Sequence, residues 1–509
     1  MKTVGKTRKG EYFDSVTLMT VGKAIAEMEG VMDAAVVMGT KENKAILSAS
    51  GLLTPELEGA GDTDLVIAFK LEDESKAGDI MAAVDEALKR ARKKVSSAEE
   101  FHPMSFEAAV DVLPEANLAV ISVAGRYAGD LAKRALEKGL HVMVFSDHVP
   151  LEIEIELKQL GKKKGLIVMG PDCGTAIING VPLGFANVVN RGEIGIVAAA
   201  GTGLQEVSTI ISEHDGGISQ AIGTGGRDIS EEVDGIMFLE AMKALADDPM
   251  TAVMLLVSKP PHPEVLKKIE SLAASIKKPL VSLFLGARAK KGEPRNLEEA
   301  ALGAVALAKG EEISAAFERL AERDSQISEA AGHEAARLKK GRRYIRGLFS
   351  GGTFCAEAQV ILSDPASTLY SNVPAGKTQP LSDPLKSSEH TLIDMGDDVF
   401  TSGRPHPMID YTLRNKRIHE EAADPGVAVI LLDVVLGYGA NMDPGGELVP
   451  VVKEAAGKVC VVCSVTGTPK DPQDAPRVTA LLEEAGARVM PSNAAACKMA
   501  GLIARSRAG

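Results

Sequence analysis

Apolar runs of strand length recur along the chain, separated by stretches with helical spacing. Ala34-Ala35-Val36-Val37-Met38 and Leu65-Val66-Ile67-Ala68-Phe69 predict strands of a small first domain, with helices over 19–29 and 77–94. The second of these helices closes on Lys89-Arg90-Ala91-Arg92-Lys93-Lys94, cations suited to a helix C-terminus. From residue 117 the pattern becomes strand, turn, helix, strand. Residues 118–123 read as a buried strand and Ala124-Gly125-Arg126 as the turn. Ala128, Leu131, Ala132, Ala135 and Leu136 then share one helical face, Gly139 stops the helix, and His141-Val142-Met143-Val144-Phe145 is the next strand. This is a parallel β-α-β unit of the Rossmann type that serves dinucleotides or CoA. It lacks a full G-x-G-x-x-G, so NAD is not indicated.

Further on, one pattern is used twice. Gly201-Thr202 to Glu206 follows Ile194-Gly195-Ile196-Val197, and Gly352-Thr353 to Glu357 follows Gly347-Leu348-Phe349. Each predicts a strand that turns on small residues into a helix N-terminus. Such an end offers unpaired N–H groups and about half a positive charge, so it can hold a phosphate or carboxylate. Two of them suggest an anion gripped from both sides. The echo extends further: Ala252-Val253-Met254-Leu255-Leu256 matches Ala428-Val429-Ile430-Leu431-Leu432, and the strand after Lys278 matches the one after Lys458. Residues 191–309 and 341–509 therefore read as two flavodoxin-like copies, the second lengthened by a Pro/Ser/Asp-rich stretch at 363–390.

The expected fold class is α/β, in five parts. A small N-terminal α/β domain (1–105) precedes a Rossmann-like CoA-binding-type domain (106–190). A flavodoxin-like domain (191–310), a helical linker (311–343) and a second flavodoxin-like domain (344–509) follow. The net charge of −13 argues against nucleic acid or an anionic membrane as partner. Apolar runs such as 252–257 and 427–432 are core-strand length, far short of a membrane span. No apolar stretch follows the basic first residues, so the expected address is the cytoplasm. Five cysteines fit a reducing compartment. Cys460 and Cys463 form a C-x-x-C, but lie in a β-branched run where residues three apart face opposite ways; no metal site is expected.

Several stretches could carry chemistry. Gly201, Thr202 and Gly203 open the first copy, Gly351, Gly352 and Thr353 the second. Thr202 also satisfies a capping-box template through Gln205, so it could simply cap its own helix. Gly170-Pro171-Asp172-Cys173-Gly174 follows a strand; Cys173 reads either as a thiolate among free N–H groups or as a buried thiol in a rigid turn. Gly226-Arg227-Asp228 closes another glycine loop, where Arg227 could hold an anion or pair with Asp228. The densest polar cluster is Thr401-Ser402-Gly403-Arg404-Pro405-His406-Pro407-Met408-Ile409-Asp410. There Arg404 suits a carboxylate or phosphate, His406 a proton shuttle, and Asp410 the orientation of the imidazole.

Taken together these stretches resemble the succinyl-CoA synthetase superfamily, and specifically its FdrA branch. Residues 106–309 look like the α chain of the synthetase, and 341–509 like the C-terminal domain of its β chain. The FdrA features are Phe13-Asp14-Ser15-Val16-Thr17-Leu18-Met19, Gly225-Gly226-Arg227-Asp228 and the run 403–410. The resemblance implies a phosphate cradle at the two Gly-Thr turns, and CoA or substrate contacts around Gly125, Arg126, Pro171, Asp172, Cys173, Gly174, Gly226 and Arg227. Two departures stand out. Residues 286–297, where the phosphorylated histidine of the synthetases falls, contain no histidine, and Ser258-Lys259-Pro260 replaces its supporting glutamate. No ATP-grasp domain is present. The resemblance thus implies a component of a multi-subunit oxamate carbamoyltransferase, using phosphate or carbamoyl phosphate with small anionic substrates. Partner subunits and homo-oligomers are expected, and CoA remains possible. An ADP-forming acyl-CoA synthetase with its nucleotide domain on another chain, and a non-catalytic scaffold or sensor, are the alternatives.

Overall fold

The computed structural model describes every residue except 1, 12, 14, 27, 72, 97–102, 104, 288, 291, 364–367, 402–403 and 508–509. Asp14, Ser402 and Gly403 of the motifs above, and most of the end of the expected first domain at 97–104, lie outside the described residues. Contacts divide the chain into two compact units, Met1–Val112 with Asp398–His406, and Leu113–Asp397 with Pro407–Gly509.

In the first unit, Leu65–Leu71 is the central strand, antiparallel to Lys2–Arg8 on one side and Val31–Met38 on the other. Its near-continuous apolar sequence follows from burial on both faces. Ile67 and Phe69 pack against Leu18, Val21 and Ile25 of the helix Ser15–Ala26 and Ile80, Val84 and Leu88 of the helix Ala77–Ser96. Val66 and Ala68 face Leu47, Leu52 and Leu57.

The second unit begins with a three-stranded parallel sheet, Leu118–Ile121, His141–Val144 and Val168–Met169, flanked by helices Gly125–Glu137 and Leu151–Lys164. Gly125 is required there, because a Cβ would run into the backbone of Asp147 and His148. The hairpin Thr175–Ile178/Val181–Gly184 does not extend this sheet. It pairs antiparallel with Ile218–Gly223, and so joins the sheet of the following lobe upstream of residue 190.

Two lobes of one topology follow. In the first, Arg191–Ala199 lies between Ile218–Gly223 and Val253–Ser258, with Leu280–Phe284 beyond. In the second, Tyr344–Phe349 lies between His390–Asp394 and Val427–Val435, followed by Cys460–Thr466 and Arg488–Met490. The strands that echo one another in sequence occupy equivalent places. The lobes share a single core, in which Ile196, Leu204 and Val257 of the first join Phe349, Phe354, Val462 and Ala496 of the second. Helices buried on several sides make this possible: Gly201–Glu213, Leu297–Ala308, Gly352–Leu362 and Asn493–Ser506 are rich in Ala and Gly where they meet. The helix Ile313–Arg337, within the expected linker, docks on this core through Ile327, Ala331 and Ala335, and its Asp324 pairs with Lys498 at 2.6 Å.

All five cysteines are free and buried; burial pushes Cys460 and Cys463 up to about 12. Among the described residues no helix is long and apolar enough to cross a membrane.

Candidate functional site

Ligands of open α/β sheets gather at the carboxyl ends of the strands, where helix N-termini open. Arg191–Ala199 ends at Ala200, the N-cap of Gly201–Glu213; Tyr344–Phe349 ends near Gly351, the N-cap of Gly352–Leu362. No side chain among the described residues caps either helix. The capping-box reading of Thr202 is corrected: it is the second helical residue, two positions past the cap.

The two tips meet. A Cβ on Gly351 would lie 2.6 Å from Thr202 Oγ1, and one on Gly203 would lie 2.9 Å from Thr353 Cγ2. Thr202 and Thr353 are both buried. Two like dipole ends brought this close repel one another, and an anion between them turns repulsion into attraction. The small residues of the Gly-Thr turns are what permit the approach.

The glutamate of each repeat reaches into the opposite lobe. Glu206 accepts from the Asn493 backbone N–H at 2.8 Å and from Thr466 Oγ1 at 2.6 Å. Glu357 accepts from the Leu297 N–H at 2.7 Å and from Asn493 Nδ2 at 2.7 Å. Each therefore satisfies the first turn of the other lobe's closing helix. Burial raises Glu206 to about 8 and Glu357 to about 7. Sequence reasoning missed this role, because the partners lie 287 and 60 residues away.

Two carboxylates shape the second tip. Asp433 accepts from the Ser350 N–H and Oγ, each at 2.7 Å, and from the Gly351 N–H at 3.0 Å. Its counter-ion is the fully buried Arg414, at 3.2 Å, whose guanidinium stacks on Tyr411. Asp394 ends the neighbouring strand, in register with Phe349. Its Oδ1 accepts from Gly396 N–H at 2.9 Å, while Oδ2 faces Gly352, whose Cβ would lie 2.6 Å from it. Burial raises Asp394 to about 6, with the positive charge of Lys259 as the largest opposing influence. Lys259 follows Ser258 at the end of the strand beside the first tip, with Ser258 in register with Ala199. Neither Asp394 nor a role for Lys259 was read from the sequence; an acid closing a buried strand was the available signal.

Other expected site residues fall elsewhere. Cys173 is not a thiolate: it is buried, its thiol donates to Gly223 O at 3.3 Å, and desolvation raises it to about 12. Pro171 packs on the next loop, its carbonyl 2.5 Å from where a Gly225 Cβ would stand. Asp172 N–H donates to Ser146 O, and Gly174 O accepts from Phe185 N–H. Gly226 has open space where a Cβ would be. Arg227 pairs with Glu154 at 2.7 Å, not with Asp228, and donates to Val149 O. Asp228 instead holds the N–H groups of Met237 and Phe238 and pairs with Lys158, which also pairs with Glu154. Lys158, Glu154 and Asp228 have fully buried side chains. Lys158→Met is therefore expected to cost about 3–5 kcal/mol, read as a lower urea midpoint, because buried Asp228 loses its cation while Glu154 keeps only Arg227. An unchanged midpoint would show that the cluster is not stabilising. Arg126 lies exposed over the Tyr127 ring. Arg404 and His406 belong to the first unit and Asp410 to the second, where its Oδ1 accepts from Thr412 N–H at 2.7 Å.

Comparison with known proteins gives three family-model matches: the CoA-ligase family over residues 348–503, the CoA binding domain over 189–286, and the AllF heavy metal-associated domain over 1–103. The CoA-binding match falls on the first lobe, whereas the sequence reading put that type of domain at 106–190. The heavy-metal name fits these residues poorly, since 1–103 contain no cysteine and one histidine, His102, which lies outside the described residues. The protein described as "Uncharacterized protein YahF" of Escherichia coli is 41% identical over 97% of this chain and 96% of its own length. The α subunit of the ADP-forming succinate–CoA ligase of Methanothermobacter thermautotrophicus is 27% identical over 35% of this chain. The malate–CoA ligase α subunit of Methylorubrum extorquens is 26% identical, also over 35%. The chain spans 60% and 61% of the lengths of those two proteins. Among solved structures, the dinucleotide-forming acetyl-coenzyme A synthetase 1 of Ca. Korarchaeum cryptofilum, in complex with phosphate and ADP, matches 77% of this chain and 83% of its own, at 15% identity and a TM-score of 0.29. The chain belongs to the same family as Escherichia coli YahF, with succinyl-CoA-synthetase-like CoA-binding and CoA-ligase domains behind an AllF-type N-terminal domain.

Proposed function

We propose that this FdrA-type chain is the phosphate-cradling subunit of a carbamoyltransferase of the oxamate type. The observation that carries the reading is the convergence of two uncapped helix tips, one from each lobe, at Gly201-Thr202-Gly203 and Gly351-Gly352-Thr353. A phosphate oxygen held there attacks the ureido carbonyl of oxalurate. The new O–C bond forms, the C–N bond breaks, and the nitrogen takes a proton, giving carbamoyl phosphate and oxamate. Charge developing on the carbonyl oxygen is stabilised by the same N–H groups, without a covalent intermediate on the protein. Gly125, Arg126, Pro171, Asp172, Gly174 and Gly226 are assigned to the CoA or substrate contacts that the resemblance implies. Partner subunits complete the enzyme.

A second reading, an ADP-forming acyl-CoA ligase with its nucleotide domain on a partner chain, is supported by the CoA-ligase and CoA-binding matches. One set of measurements separates them. The transferase reading expects phosphate, carbamoyl phosphate and oxamate each to raise the melting temperature without ATP, a ligand at 100 times its Kd adding about 2.7 kcal/mol. It also expects the purified assembly to consume carbamoyl phosphate in the presence of oxamate. Formation of acyl-CoA from ATP and CoA, with no use of carbamoyl phosphate or oxalurate, would replace it with the ligase reading.

A further inference from the structure

We infer that Asp394 is the proton carrier at the helix tips, taking up a proton as an anion settles against the helix ends and returning it to the departing group. This rests on the reading of the tips as an anion site. Asp394 is 8% exposed, and among the described residues nothing donates to its Oδ2. That oxygen is aimed at Gly352, in the first turn of the second tip, close to where the anion would lie. A carboxylate and a phosphate sharing one helix end repel strongly, as two carboxylates do, and the conflict is relieved when the carboxyl holds a proton. In that state Oδ2–H can donate to the bound anion. When the C–N bond breaks, the proton passes to the nitrogen, and Asp394 regains its charge as the phosphate leaves carbamoylated.

The charged and titratable groups facing Asp394 are Lys259, Asp397, Asp433 and the Cys355 thiol. Lys259 favours the ionised form and the two aspartates the protonated one, so Asp394 is held close to the point of change. Glu206 and Glu357 lie one turn further along the tip helices.

Sulfate is the probe, because its own charge is constant across the range tested. Its affinity for the full-length wild-type chain is expected to fall with pH between 6.5 and 8.5 about tenfold per unit more steeply than for Asp394→Asn, through one linked proton. Glu206 and Glu357 are present in both, so the difference in slope belongs to Asp394. At pH 8 the variant is expected to bind sulfate more tightly than wild type. Calorimetry of the wild type in two buffers of different ionisation enthalpy should also show about one proton taken up per sulfate, a readout independent of how the variant folds. Equal slopes, or binding without proton uptake, would overturn the assignment while leaving the cradle standing. Absence of sulfate binding at every pH would overturn the cradle and this inference together.

Discussion

Gly351→Ala is expected to lower phosphate affinity and turnover by about 100-fold while the chain still folds. The backbone at Gly351, φ −112° and ψ 118°, is open to any residue, so the cost is one of space alone. An added methyl would lie 2.6, 2.7 and 2.8 Å from Thr202 Oγ1, Cγ2 and Cβ. Both threonines are buried, so the tips must part to make room. Overpacking of this kind costs about 1–3 kcal/mol, which a unit of this size tolerates. Misplacing a reacting group by about 1 Å costs on the order of 100-fold. Thr202→Gly removes all three clashing atoms, so Gly351→Ala with Thr202→Gly should recover much of the loss. Full phosphate binding by Gly351→Ala alone, measured by calorimetry, would show that the separation of the tips does not matter to the ligand.

Glu206→Ala and Glu357→Ala should each cost about 3 kcal/mol or more of stability. Each removes the acceptor of two buried donors, at about 1–3 kcal/mol per orphaned group. Because both meet at Asn493, the double variant should lose less than the sum. The pH dependence has a definite sign. Folding raises Glu206 to about 8 and Glu357 to about 7, so the folded chain holds these protons longer than the unfolded chain. The stabilising contribution is complete below the ordinary carboxylate range and is lost as pH climbs from about 4.5 to about 8. Glu206→Gln keeps an acceptor for Asn493 and a donor for Thr466 without titrating, and should flatten part of that decline. Urea midpoints between pH 5 and 8.5 would check it; an unaltered pH profile in Glu206→Gln would show that Glu206 is ionised throughout.

The sequence carried the lobes because their strands are apolar runs with echoes at equivalent places, and the tips because Gly-Thr after a strand has a local physical meaning. It did not carry the purpose of the glutamates. Their spacing within each helix is visible, but the donors they serve belong to another lobe. Asp394 was missed for a related reason: Ile393-Asp394-Met395-Gly396 matches no motif, and the residue matters only because its strand lies beside the second tip. Cys173 stood open between two readings, and the buried thiol in a rigid turn is the one found, because the neighbouring loop at Gly223 closes over the sulfur. The run around Arg404 looks continuous as text, yet it is divided between two units.

The reciprocal glutamate contacts also set a timetable for synthesis. The first lobe leaves the ribosome with Glu206 buried in no finished environment, since the N–H it must hold belongs to Asn493, 287 residues downstream. At about 5–20 residues per second, that delay is roughly a quarter of a minute to a minute. Throughout it the apolar helices of the first lobe have no opposite half to cover them. The two lobes therefore complete their shared core as one event, despite their modular appearance.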